Sequence, residues 1–311
     1  MDLVGAHVEL RRAAIARHGF FEGPRAPAEE KLGDYLAPIH AEGEVRALQR
    51  GGAIDAIVAW RFDEASWFGT PVWTIAIDRR EGADVARWLD ATLAAVIPAL
   101  EGELDLSVDA GCPEAYRALR RLGLGVDSVQ LVGDVEAARA RLGGGALPDG
   151  VTLAPMEEAD VEPVLALYEE TFRAAPEHCW FGAYPGYLEK QRAQLVAGLG
   201  DGTRTQTTLR TDRGVRGHAS ATVALDNPLW GPIAGMSLCF APELRGRGVL
   251  RPVYRHLLDA MHAAGARTFK GGTSQPPVLR LASEMGRELT AVNLRRDTPF
   301  GEAHFAPYLP L

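Results

Sequence analysis

The residues best suited to chemistry in this chain form a short turn rich in glycine and arginine, Arg245-Gly246-Arg247-Gly248. An alternating apolar run ending at Phe240 predicts a strand before it, and apolar residues at helical spacing from Leu250 predict a helix after it. The first N–H groups of a helix have no partner within it, and the helix dipole favours negative charge there. Glycines admit a phosphate to the backbone, and the arginines add positive charge. The turn therefore predicts an anion site.

The four residues by themselves are also compatible with a nucleic-acid-binding segment or a plain solvated turn. Arg-Gly sequences occur in the former, and glycine turns are common on protein surfaces. The flanking strand and helix favour the anion site, because they supply the structural context that such a site needs. The net charge of −8 argues against a general nucleic-acid binder.

This strand, turn and helix resemble the acyl-CoA site of the GNAT superfamily of N-acyltransferases. Members carry Arg/Gln-x-x-Gly-x-Gly/Ala at this place and grip the pyrophosphate of acyl-CoA with it. The chain matches the pattern at Arg245 and Gly248 and departs from it at Leu250. The resemblance implies acetyl-CoA or another acyl-CoA as cofactor, bound by six consecutive residues: Arg245, Gly246, Arg247, Gly248, Val249 and Leu250.

The resemblance also implies residues near the thioester. In the family, a backbone N–H of the fourth strand donates to the thioester oxygen. In this chain, the residues implied at this position of the fourth strand are Leu238, Cys239 and Phe240. A tyrosine on the family's fourth helix protonates the leaving thiolate, and Ala282 stands at its position here. Two more cofactor contacts are implied on this helix, at Gln275 and at Ser283 beside the vacant tyrosine position.

Several side chains are candidates for the catalytic acid or base. His218 lies in a predicted central strand, and Tyr254 lies on the helix after the turn. The aromatic-rich loop from Pro176 to Tyr187, which includes His178, takes the place where family members line the acceptor site. A few tandem members put their terminal carboxylate near the acceptor amine, a role that falls on Leu311 here. For each of these residues, a packing role or a solvated position is the alternative.

The chain repeats its features at an offset of 163 positions. Pro113–Gly123 falls on Pro276–Gly286, and both read as helices that begin at proline and end at glycine. Strand-like segments on either side coincide at the same offset, which indicates a duplication. Leu142–Gly150 is rich in glycine and proline. We therefore predict a first domain at residues 1–142, a linker at 143–150 and a second domain at 151–311.

The predicted order of the second half, β-α-α-β-β-β-α-β-α-β, resembles the GNAT fold. The predicted fold class is α/β with a mixed sheet: two tandem GNAT-like domains, as in mycothiol synthase-like enzymes. In the first half, Asp78–Val85 replaces the glycine turn, and its three acids and one glycine suit a pyrophosphate poorly. The first domain is therefore predicted to be degenerate. Its segment Gly19 to Ala41, with three prolines, is predicted to be irregular.

These observations predict an N-acyltransferase that moves an acetyl or other acyl group to an amine on a small metabolite. Two alternatives stay open: a non-catalytic acyl-CoA-binding or sensing module, and non-acetyl chemistry on an acyl-CoA. Three cysteines without CxxC spacing predict no metal site and fit a cytoplasmic protein. Neither a nucleic-acid nor a membrane partner is expected, since no apolar run approaches the roughly 18 residues of a membrane span.

Overall fold

The computed structural model describes residues 2–18, 25–305 and 308–309. The first half contains α1 (Leu3–Ala16), α2 (Arg25–Glu42), β1 (Glu44–Arg50), β2 (Ala53–Asp63), β3 (Val72–Arg79), α3 (Ala86–Val96), β4 (Glu103–Asp109), α4 (Pro113–Arg121), β5 (Gly125–Asp134) and α5 (Val135–Leu142). The second half contains β6 (Thr152–Pro155), α6 (Val161–Ala174), α7 (Pro185–Ala197), β7 (Arg204–Thr211), β8 (Gly214–Asn227), β9 (Gly231–Phe240), α8 (Leu250–Ala263), β10 (Thr268–Thr273), α9 (Pro276–Glu284) and β11 (Glu288–Arg295). The predicted order of the second half is confirmed.

The strands form one mixed sheet of 11 strands in the order β1-β2-β3-β4-β11-β5-β10-β9-β8-β7-β6. Each half gives its last strand to the other: β11 lies between β4 and β5, and β5 lies between β11 and β10. The pairs β3/β4 and β9/β10 are parallel, and the other neighbours are antiparallel. The α/β fold class is confirmed. The boundary at residues 143–150 stays a prediction.

The duplication is visible in the elements themselves. Helices α4 and α9 begin at Pro113 and Pro276, and strands β5 and β11 begin at Gly125 and Glu288. Both pairs keep the offset of 163 positions found in the sequence. A proline at the first helical turn is tolerated there because its missing N–H would have no partner within the helix.

Core residues lie on both faces of the sheet, but the middle of one face is not covered by helices. Helices α3, α4, α8 and α9 cover one face continuously with apolar residues such as Leu89, Leu119 and Leu257. Among the described residues, helices cover the other face at its two ends, α1 and α2 around Leu36 and α6 and α7 around Val164, and leave its middle uncovered. The central strands therefore carry polar residues on that face, between the two helical layers.

The segment predicted to be irregular contains a long helix instead. Arg25–Glu42 is helical, with Leu32, Leu36 and Ile39 buried at helical spacing against the sheet. The prolines were misleading: one lies in the first turn, where proline is tolerated, and Pro38 is accommodated inside the helix. Packing of the apolar stripe outweighs the lost hydrogen bond. Residues 19–24 lie outside the described part of the chain.

Among the described residues, no helix combines the length and the apolar character that a membrane crossing requires.

The strand exchange predicts the behaviour of a truncated chain. A fragment of residues 151–311 keeps the glycine turn but loses β5, the antiparallel neighbour of β10, and both neighbours of β11. Unpaired strand edges promote aggregation, so we expect an insoluble fragment. Expression and size-exclusion chromatography measure this, and co-expression of residues 1–150 should restore a soluble complex. A monomeric, fully active fragment would contradict the expectation.

Candidate functional site

A wedge-shaped gap opens between the parallel strands β9 and β10. They pair at three positions only, Ile233–Gly235 with Thr268–Lys270. Beyond these positions β9 continues to Phe240 along β8, whereas β10 continues to Thr273 along β5. The two strands are thus drawn apart by their outer neighbours, and backbone groups on their facing edges are left without a strand partner.

The facing edge of β9 directs two N–H groups into this gap. The Arg267 N–H donates to the Pro232 carbonyl at 2.9 Å, so the even-numbered residues of β9 turn their backbone groups toward β10. By this alternation Leu238 and Phe240 point their N–H groups into the gap, past the paired part of β10. Cys239 turns its backbone toward β8 instead, and its side chain is buried.

The glycine turn lies at the mouth of the gap, where β9 leads into α8. Gly246 and Gly248 have φ values of 74° and 81°, which favour glycine. A Cβ at either position would meet no atom within 4 Å, so the turn is open to a ligand. Arg245 is exposed and makes no ion pair with the described residues, whereas Arg247 donates to the Asp149 carbonyl at 3.2 Å.

A cleft of about 1170 Å³ runs from this turn through the gap to the polar face of the sheet. It brings together most of the predicted site residues: His178, Leu238, Cys239, Phe240, Arg245, Gly246, Gly248, Val249, Leu250, Tyr254 and Gln275. Arg247 and Ser283 are outside its lining among the described residues. His218 lines an adjoining cavity of about 270 Å³. Leu311 lies outside the described part of the chain.

The first half has the same gap, but its own side chains bridge it. Strands β3 and β4 stop pairing after Ile75 and Leu106. Arg79, at the end of β3, donates from Nη2 to the Gly111 carbonyl at 2.7 Å, and its Nε lies 3.3 Å from a Glu114 carboxylate oxygen. An arginine side chain therefore crosses the gap of the first half, which supports the prediction of a degenerate first domain.

The floor of the cleft was not found from the sequence. It consists of polar side chains on the helix-free face of the central strands: Asp105, Ser107, Ser128, Gln130, Lys270, Asn293 and Arg295. The alternation in β4 does signal a polar face, because Leu104 and Leu106 are buried on the opposite side. The sequence does not show that strands of both halves lie side by side here.

The aromatic loop of the second half packs against the first half and also lines the cleft. Phe68 contacts both Trp180 and Phe181, with ring centroids 5.2 Å and 5.4 Å away, and Trp67 lies 5.5 Å from Tyr187. All five rings line the cleft. The same residues of this loop therefore pack between the halves and face the space that a ligand could enter.

His218 lies behind the cleft rather than in it. Its side chain is buried, its Nδ1 lies 2.7 Å from the Tyr168 hydroxyl, and burial lowers its pKa to about 4. The imidazole is therefore neutral at pH 7. Tyr168, which lines the cleft, connects it to the site, and burial raises the pKa of this tyrosine. The helical spacing of Tyr168 with Val164 and Leu165 is typical of core residues, so the sequence gives no signal of its place in the cleft.

His178 joins the aromatic loop to the end of β10. Its Nδ1 lies 2.8 Å from the Ser274 hydroxyl, and the ring stacks on Phe300 at 4.9 Å. Burial lowers its pKa, and the neighbouring His304 acts in the same direction. His178 therefore offers a neutral imidazole to the cleft at pH 7.

Tyr254 and the two thiols of the cleft stay protonated at neutral pH. Tyr254 is buried, and burial raises its pKa. Burial also raises the thiol pKa of Cys179 to about 12 and that of Cys239 to about 11. A thiolate nucleophile at Cys239 is not favoured by this environment. Within the described ranges, no cluster of three or more His, Cys, Asp or Glu residues could hold a metal ion.

Solved structures share this architecture over nearly the whole chain. A GCN5-related N-acetyltransferase from Sphaerobacter thermophilus is 15% identical with a TM-score of 0.60, and the match covers 96% of this chain and 93% of that one. A tandem GNAT protein from the clavulanic acid biosynthesis pathway is 17% identical with a TM-score of 0.51, covering 94% of both chains. The chain therefore has the tandem GNAT fold that its sequence predicted.

A third structure, the GCN5-related glucosamine N-acetyltransferase region of a fungal GH3 β-N-acetylglucosaminidase, has 15% identity and a TM-score of 0.54. It covers 93% of this chain and 36% of that one. No protein-family model and no curated protein matches the sequence. Identities this low establish the fold alone.

The buried imidazole of His218 predicts a pH-dependent stability. Its pKa is about 4 in the fold and 6.5 ordinarily, so the unfolded chain binds more protons as the pH falls below 6.5. This group should lower the free energy of unfolding by about 2 kcal/mol between pH 7 and pH 5. Urea denaturation at both values should give a shallower dependence for His218→Gln. His262→Gln removes an exposed histidine as the control. Equal dependence in the wild type and His218→Gln would contradict the assignment.

Proposed function

We propose that this protein is an acyl-CoA-dependent N-acyltransferase that acts on a small polar amine. The observation that carries the proposal is the open gap between β9 and β10, with two inward N–H groups and an open glycine turn at its mouth. The turn fits a pyrophosphate because its glycines leave room at positive φ and Arg245 is free to pair with an anion. The equivalent gap in the first half is bridged by Arg79.

In this proposal, different residues around the gap interact with the thioester oxygen, with the departing sulfur and with the attacking amine. Acyl-CoA, when bound, supplies a thioester whose carbonyl carbon an amine can attack. The N–H group of Leu238 is the donor for the carbonyl oxygen, since charge develops there during acyl transfer, and the N–H group of Phe240, about 7 Å nearer the mouth of the gap, faces the rest of the cofactor. The hydroxyl of Tyr168 stays protonated and takes the place of the missing tyrosine at Ala282 as a hydrogen-bond donor to the departing sulfur. The neutral imidazole of His178 is the candidate base for the amine.

The acceptor occupies the polar floor in this proposal. Asp105 forms no ion pair with the described residues. Its carboxylate therefore suits the acceptor while the acceptor's amine is still protonated as an ammonium group. Ser107, Gln130 and Asn293 offer hydrogen bonds to hydroxyl or amide groups, and the aromatic rings close the cleft over the ligand. Both halves contribute to this floor, which gives the first half a role although its own gap is bridged.

The assignment of the cofactor to the second half predicts the effect of an acidic residue in the turn. Gly248→Asp places a carboxylate against the pyrophosphate, so we expect the Kd of CoA to rise at least tenfold. Gly82→Asp is the matched control, since Gly82 also has a positive φ, 73°, and open space, but lies in the turn of the first half. Calorimetry gives both constants. Equal CoA affinity in the wild type and Gly248→Asp would refute the assignment.

The aromatic loop predicts an effect on the acceptor alone. Trp180→Ala removes a ring that lines the cleft and packs on Phe68, so the acceptor KM should rise several-fold while the Kd of CoA is unchanged. Trp73→Ala, at a tryptophan outside the cleft lining whose Nε1 donates to the Glu101 carbonyl, is the control. Thiol release from acetyl-CoA and from longer acyl-CoA thioesters, each with a panel of amines, measures turnover. Tight CoA binding without any turnover would favour the non-catalytic acyl-CoA-binding module.

A further inference from the structure

Arg287 is a buried cation that lines the cleft, and it has no acidic partner among the residues that the structure describes. Only 5% of the surface of Arg287 is exposed to solvent. Nη2 donates to the carbonyls of Leu131 and Gly271 at 2.6 Å and 3.1 Å, and the guanidinium lies 4.8 Å from the Phe269 ring. Nε is buried and bonds to no described group, and Arg287 forms no ion pair within the described chain.

The guanidinium lies where the gap between β9 and β10 is narrowest. Gly271 is the first residue of β10 beyond the paired positions, and Met236 is the first residue of β9 beyond them. A Cβ at Gly271 would lie 3.6 Å from Nη2 of Arg287 and 3.7 Å from Cγ of Met236. Arg287 is therefore at the closed end of the gap, and the glycine turn is at the open end.

Among the described residues, no neighbouring group neutralises the charge of Arg287. The ionisable groups that act on Arg287 are the hydroxyls of Tyr254 and Tyr308, and burial raises the pKa of both, so they are uncharged at pH 7. Burial also lowers the pKa of Arg287, but a guanidinium stays charged in proteins. A buried charge without a counter-ion is costly. A ligand with a negative group at this end of the gap would remove that cost.

We propose that Arg287 binds a carboxylate at the far end of the transferred acyl group, so that the preferred donor is a dicarboxylic acid monothioester of CoA. This rests on the proposed function. Leu238, whose N–H faces the thioester oxygen, lies two residues beyond Met236, which is about 7 Å along the strand. A short acyl chain with a terminal carboxylate spans this distance, and the planar guanidinium matches a carboxylate. An acetyl group is too short to reach Arg287.

The choice of donor is tested by binding to the full chain. Succinyl-CoA and butyryl-CoA have acyl chains of equal length, and a carboxylate replaces the methyl group in succinyl-CoA. We expect the wild type to bind succinyl-CoA on the order of tenfold to a hundredfold more tightly in calorimetry. Equal affinities for the two thioesters would overturn the inference without any variant.

Variants test whether Arg287 causes the preference for succinyl-CoA over butyryl-CoA. Arg287→Met should abolish it while the Kd of free CoA stays within about twofold, and Arg280→Met, at an exposed arginine of the cleft, should retain it. A preference that survives Arg287→Met would overturn the inference. If that variant does not fold, Arg287→Lys is the substitute, because lysine keeps the positive charge but cannot donate two parallel hydrogen bonds to a carboxylate. This variant should lose part of the preference, and full retention of the preference would count against the inference.

Free CoA separates this inference from the function on which it rests. If free CoA does not bind to the wild type, the proposed function fails together with the inference. If free CoA binds but the wild type does not distinguish succinyl-CoA from butyryl-CoA, the inference alone fails.

Discussion

The pairing of β5 with β10 is the interaction on which the rest of the structure depends. Six residues of β10 pair with residues of the first half, from Thr268 with Asp134 to Thr273 with Val129. This pairing satisfies one edge of β10 over its full length, so β10 can leave β9 after three positions without losing its place in the sheet. A strand of the first half, β5, thus maintains the gap between β9 and β10, and the glycine turn lies at the mouth of this gap.

The two halves contain the same gap and use it differently. In the first half, Arg79 crosses from β3 to Gly111 and Glu114, so the gap is closed by an arginine and its ion pair. In the second half, no side chain makes a comparable bridge among the described residues, and a buried arginine, Arg287, lies at the closed end instead. A duplicated fold has therefore become asymmetric through a few charged side chains, with no change in the order of the strands from β3 to β5 and from β9 to β11.

The exchange of strands also gives the first half a place in the site. It brings β4 and β11 next to each other, so Ser107 and Asn293 face the same cleft from different halves. The rings of Trp67 and Phe68 close the cleft from the first half, and those of Trp180 and Tyr187 close it from the second. Binding of an acceptor in this cleft would draw on both halves, whereas binding of the cofactor would draw mainly on one.

The sequence by itself determined the duplication, the order of elements in the second half and the glycine turn, because these depend on local periodicity and on the special conformations of glycine and proline. It failed at α2, where prolines concealed an apolar stripe that only packing against the sheet makes stable. The exchange of β5 and β11, the polar floor, and the burial of Arg287 without a counter-ion among the described residues were decided by the tertiary structure alone. Each of them depends on residues far apart in sequence, and a burial or a missing counter-ion cannot be read from neighbouring residues in the chain.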